Sequence, residues 1–110
     1  MKLVELDPKF LKHILEDGIE IHRYCEFDEA DGIQFLCPKC FRSNSGRVGT
    51  HSIICWRPRI PQTVYPKPGR WEFLGTGISD LTLVAGSSSI LLTSGCMWHG
   101  FIEGGNVRDA

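Results

Sequence analysis

Cys37-Pro-Lys-Cys40 constrains this chain more than any other stretch. Two thiols three positions apart around a turn can both grip one metal ion, with the backbone amides between them facing the sulfurs. Pro38 suits such a knuckle. The same spacing also serves redox chemistry, but that reading wants a helix N-terminus to lower a thiol pKa. The residues from Phe41 to Thr50 are mostly Ser, Asn, Gly and Arg and predict a loop with no helix signal, so a metal is the preferred partner of the pair. The cysteines lie at 25, 37, 40, 55 and 96. An odd number without a secretion signal argues against a disulfide framework and for metal binding or free thiols.

A tetrahedral Zn²⁺ needs two further ligands, and spacing offers two ways to supply them. The local one is Cys37-x2-Cys40-x10-His51-x3-Cys55; the distant one is Cys96-x2-His99, which would tie a late hairpin to the knuckle as in a zinc ribbon. Mixed sets stay open. Cys55 also fits a small buried hydrophobe, a common role for free cysteine, and Cys25 has no motif around it.

Around the knuckle the chain reads as one domain, residues 1–110, of mainly β class (α+β): a small antiparallel β domain with an N-terminal helix, stapled by one zinc. Asp7-Pro8 predicts a helix over about 8–17, with Phe10, Leu11, Ile14 and Leu15 as its apolar stripe and Gly18 as its end. Strands are predicted at Ile19–Phe27, Ile33–Leu36, His51–Trp56, Trp71–Leu74, Leu81–Val84, Ser89–Leu92 and Gly100–Ile102, with a hairpin turn at Gly104–Asn106. On the His51–Trp56 strand the two-residue period puts His51, Ile53 and Cys55 on one face. Arg57–Gly69 holds four of the six prolines and predicts a long extended excursion.

Charge narrows the partners. The net charge is -1 and the basic residues are scattered, so neither nucleic acid nor an anionic membrane is expected. No apolar run approaches the roughly 20 residues that span a bilayer. Met1–Asp7 has no apolar signal core, which predicts a cytoplasmic protein.

Ser87–Ile102 gathers a serine cluster, Cys96 and His99 on two short apolar strands. A nucleophilic serine needs a base within hydrogen-bond reach and donors for the developing oxyanion. His99 and His51 are the candidate bases, and no G-x-S-x-G elbow signals a standard hydrolase.

The order Phe35-Leu-Cys-Pro-Lys-Cys40, Gly49-Thr-His51, Pro68-Gly-Arg-Trp71, Asp80-Leu-Thr-Leu83, Ser89-Ile90, Gly95-Cys96 and His99-Gly-Phe-Ile102 carries a family resemblance. It resembles a small Cys/His domain of phages and bacteria, long of unknown function, related to BubE of bacterial ubiquitin-like conjugation operons. The resemblance covers about residues 33–107. It implies Cys37, Cys40 and Cys96 as zinc ligands with His51 as the fourth, leaving Ser89 and His99 as nucleophile and base. Ser88 stands where the family has a proline. The alternative gives the metal His99 and leaves His51 as base or bystander. The implied function is a zinc-stabilised serine peptidase-like protein of the bacterial cell, acting on the C-terminal tail of a ubiquitin-like or other small protein. Amides near Gly86–Ser89 would hold the oxyanion, and the 57–69 excursion would line a peptide groove. The competing expectation is a non-enzymatic zinc-ribbon-like accessory or interaction module. A metal hydrolase ranks last, because three thiolates make a poor Lewis acid.

Overall fold

A computed structural model describes residues 1–85, 89–92 and 95–110. A 3-10 turn at Leu3–Leu6 leads into β1 (Lys9–Glu16), which forms a hairpin with β2 (Ile19–Cys25). The helix expected over 8–17 is therefore a strand. Asp17 and Gly18 both take positive φ, +53° and +77°, the two-residue turn whose twist matches paired strands. Asp7 caps no helix: it is left-handed at the end of the 3-10 turn, and its carboxylate meets Lys9 and Arg47. Leu15 is exposed while Phe10 and Leu11 are buried, so the apolar residues do not share a helical face. Pairing on both sides of β1, with β2 and with β3 (Gly32–Leu36), overrides the helical spacing.

β3 also pairs with β4 (Ser52–Trp56), giving one antiparallel sheet in the order β2-β1-β3-β4. Between β3 and β4 lies α1 (Pro38–Asn44), where only a loop was expected. Pro38 opens it, at the position where a missing N–H costs nothing, and Ser45 ends it in the left-handed region.

The proline-rich stretch after β4 forms neither helix nor strand, as expected. It folds into an arm around Arg70, whose guanidinium donates to the carbonyls of Ile60, Pro61, Val64, Pro66 and Gly69 at 2.6–3.0 Å. That uses the full donor set of one arginine on a segment with no ladder of its own. Under the arm, Trp56 packs with Leu11, Ile60 and Val64 as a second small core.

β5 (Glu72–Leu74) pairs with β6 (Thr82–Val84), and β7 (Ile90–Leu91), β8 (His99–Glu103) and β9 (Asn106–Asp109) form a three-stranded antiparallel sheet. Gly104-Gly105 makes the expected terminal turn, with φ +56° and +78°. Gly105 also lies so close to the Ser79 carbonyl that a Cβ there has no room. The main core, including Leu3, Leu6, Ile33, Phe35, Leu81, Leu83, Ile90, Trp98 and Ile102, joins all three sheets. No helix among the described residues is long and apolar enough to cross a membrane.

Asp31 is the one buried charged side chain among the described residues. Its carboxylate accepts the His13 amide at 2.8 Å and pairs with the Arg59 guanidinium at 2.7 Å. Burial pushes its pKa up, but the His13 amide and Arg59 outweigh burial and hold it below the ordinary carboxylate range. A carboxyl held low in the folded state stabilises above its unfolded pKa of about 4 and loses that contribution as pH falls through the folded value. Urea midpoints should therefore drop below about pH 4 in the parent, and Asp31→Asn should lower the neutral-pH midpoint and flatten that drop. Parallel pH curves for parent and variant would show that Asp31 is not the source.

Candidate metal centre

Three separate segments bring four side chains to one point. Cys37 ends the β3 side of the turn into α1, Cys40 lies in the first turn of α1, His51 precedes β4, and Cys96 lies between β7 and β8. One donor atom from each of Cys37, Cys40, His51 and Cys96 lies within 4.8 Å of all the others, so the four can hold one metal ion. Cys37 Sγ stands 3.4 Å from Cys96 Sγ, and His51 Nε2 stands 3.3 Å from the same sulfur.

Backbone geometry fixes these positions. The Cys37 amide donates to the His51 carbonyl at 2.9 Å, extending the β3–β4 ladder by one rung and bringing His51 beside the knuckle. The Lys39 and Cys40 amides face the Cys37 sulfur, the arrangement expected of a metal-binding turn. Lys39 reaches the Cys96 carbonyl at 2.8 Å. Beyond the cluster, Asp109 accepts Arg42 of α1 at 2.8 Å and the Trp98 indole N–H at 2.9 Å, clamping α1 to the terminal sheet.

The electrostatics separate the three thiols. Burial pushes Cys37 up to about 12 and also raises Cys40. Burial opposes ionisation of Cys96 as well, but hydrogen bonds from His51, the Trp98 amide, Cys37 and Cys40 outweigh it and bring Cys96 down to about 6. The shifts favour Cys96 as the thiol that ionises most readily. A divalent cation binds such a set by displacing the remaining protons. The redox alternative expected a helix start to acidify the pair. A helix is present, yet Cys37 at its start is shifted the other way.

Of the expected ligands, the structure joins Cys37, Cys40, Cys96 and His51, so His51 rather than His99 stands with the thiols among the described residues. The local completion with Cys55 fails: Cys55 is fully buried, and burial raises its pKa. Cys25 is half-buried outside the cluster. His99 opens β8 on its exposed face, opposite Leu91 of β7.

Ser89 immediately precedes β7 and stands at the rim of an apolar cleft of about 530 Å³. The cleft runs between residues 51–54, at the start of β4, and residues 89–92, walled by Pro66–Gly69 of the arm and Trp71. His51 therefore borders both the metal cluster and the cleft, whereas His99 is not among the lining residues. Of the amides expected to hold an oxyanion, those of Gly86, Ser87 and Ser88 lie outside the described residues. Sequence reasoning missed Trp71 and Ile54 as lining residues and Asp109 as a clamp. Pro38 directly after Cys37 was the available signal for α1.

Compared with protein-family models, with characterised proteins and with solved structures, the chain matches none.

Proposed function

We propose that Cys37, Cys40, His51 and Cys96 hold one Zn²⁺ in a closed site that staples this β domain. The observation that carries the reading is the convergence of four donor atoms, from three segments, within 4.8 Å. Zn–S bonds of about 2.3 Å and a Zn–N bond of about 2.0–2.1 Å at tetrahedral angles put ligand atoms roughly 3.5–3.8 Å apart. The contacts of 3.3 and 3.4 Å at Cys96 need only a slight spreading to meet that. Three thiolates with one imidazole are a donor set that zinc favours, and they fill all four positions. The ion would supply folding energy by cross-linking the β3–α1 turn, the entry to β4 and the β7–β8 connection.

A second reading places hydrolysis at Ser89, and one observation favours it: Ser89 rims the cleft at the head of β7, while Leu91 of the same strand lies opposite His99. With His51 on the metal, His99 is the imidazole left for proton transfer. Ser89 Oγ would attack a peptide carbonyl as His99 takes the hydroxyl proton, and His99 would return that proton to the leaving amine. Water would then hydrolyse the acyl ester and restore the serine. The substrate would be the C-terminal tail of a ubiquitin-like or other small protein. Without that chemistry, the domain is a zinc-ribbon-like interaction module.

One set of variants tests both. Purified parent should carry one zinc per chain by elemental analysis; His51→Ala should lose most of it, and His99→Ala and Ser89→Ala should keep it. Folded, zinc-free parent protein defeats the metal assignment. Tail release from a ubiquitin-like fusion that persists in zinc-loaded Ser89→Ala defeats the serine reading.

A further inference from the structure

Strand register shows which backbone groups face the cleft. Cys37 N–H bonds the His51 carbonyl and Arg57 N–H bonds the Asp31 carbonyl, so residues 51, 53, 55 and 57 point their backbone toward β3. Ser52, Ile54 and Trp56 then point theirs the other way, off the open edge of the four-stranded sheet. The Trp71 amide already donates to the Trp56 carbonyl at 2.9 Å on that side, so this edge accepts a ladder bond. Across the cleft, Leu92 N–H bonds the Trp98 carbonyl and Ile90 lies opposite Gly100. Leu91 between them therefore turns its N–H and C=O away from β8, off the open edge of the three-stranded sheet. Two sheet edges thus border one apolar slot, unpaired at Ile54 and Leu91 among the described residues, and unpaired edges are templates for another strand.

We propose that this cleft binds an extended peptide segment of a partner protein, which enters as a strand between β4 and β7 and joins the two sheets by backbone pairing. Ile54 would pair on one side of the peptide and Leu91 on the other. Trp71 lines the slot with its largely buried ring and offers apolar surface to the peptide. The other lining side chains, including Ile53, Ile90, Pro66 and Pro68, suit apolar side chains. Among the described lining residues Lys67 is the one of fixed charge, its ammonium over the exposed Tyr65 ring at 4.9 Å, and a carboxylate at that end of the segment would complement it. This surface goes beyond the metal assignment and does not depend on Ser89 acting as a nucleophile.

The test uses the full zinc-bearing chain and an octapeptide alternating valine and threonine with a terminal glutamate. Hydrogen exchange at single amides should slow at least about tenfold at both Ile54 and Leu91 when the peptide is added, the scale of one or two net backbone hydrogen bonds. N-methylation of the peptide backbone at alternate residues should weaken binding by about tenfold or more on the same ground. Exchanging the glutamate for glutamine with an amidated terminus should weaken it about two- to fivefold, as for an exposed ion pair. Protection at neither amide or at only one overturns the proposal. So does equal binding of the N-methylated peptide, or full protection of Ile54 and Leu91 before any peptide is present.

Discussion

Cys37→Ser is expected to abolish zinc binding and, with it, cooperative thermal unfolding. Cys37 is the most enclosed member of the cluster, fully buried where β3 meets α1 and 3.4 Å from Cys96. A structural zinc contributes on the order of 10 kcal/mol in small metal-binding domains at neutral pH. The whole stability of an ordinary domain is about 5–15 kcal/mol. On the proposed assignment, losing the ion would take away most of what holds this chain folded. Cys55→Ser separates that effect from the mere burial of a hydroxyl, because Cys55 is equally buried but lies outside the cluster. It should cost about 1–3 kcal/mol for a buried, poorly satisfied hydroxyl and leave one zinc per chain. Elemental analysis with calorimetry decides the matter. Equal zinc content in the two variants would remove Cys37 from the site.

Trp56→Ala should be the most damaging substitution away from the sulfurs, costing about 3–5 kcal/mol. The ring is fully buried between Leu11, Ile60 and Val64, and its N–H donates to the Tyr65 carbonyl at 2.8 Å. The His13 and His22 rings meet it edge-on, at centroid distances of 5.8 and 4.9 Å. Truncation empties the small core beneath the arm and frees the segment that walls the cleft, so peptide affinity should fall together with stability. Trp56→Phe keeps most of the apolar area and removes the donor, for about 1 kcal/mol. Urea unfolding of the two variants, with proteolysis mapped across residues 60–69, gives the comparison. A Trp56→Ala loss below about 1 kcal/mol would mean that the arm is held without this core.

The Cys/His cluster was more legible in the sequence than the fold around it. Cys37 and Cys40 follow from type and spacing, whereas spacing left Cys96 as one of two completions and the family resemblance singled it out. His51 against His99 could not be settled by spacing, because the answer lies in how the chain reverses between β3 and β4. Strand alternation carried a usable hint: with Ile102 facing the core, Gly100 faces it too, and His99 must face outward. The N-terminal strand was misread because Phe10, Leu11, Ile14 and Leu15 satisfy a helical stripe over six residues, too short a window to separate the two periods. Asp17-Gly18, a strong hairpin signal, outweighed the stripe in the folded chain. α1 was missed because its Ser and Asn residues favour turns, while Pro38 and the contact between Arg42 and Asp109 support the helix.

Arg70 gives the cleft an unusual kind of designability. The arm's shape is set by one guanidinium reading five main-chain carbonyls, and every amino acid carries a carbonyl. Gln62 adds one bond of its own to the Pro68 carbonyl at 2.9 Å, while the side chains at 63, 65 and 67 make no hydrogen bond to the scaffold among the described residues. They can be exchanged without redrawing the wall, much as loop residues vary on a rigid framework. Lysine at position 70 could not serve the same scaffold, because a point charge with three donors cannot reproduce a planar fork with five. Selectivity for a bound peptide is therefore separable from the wall's architecture, with Arg70 as the fixed part and its neighbours as the variable part.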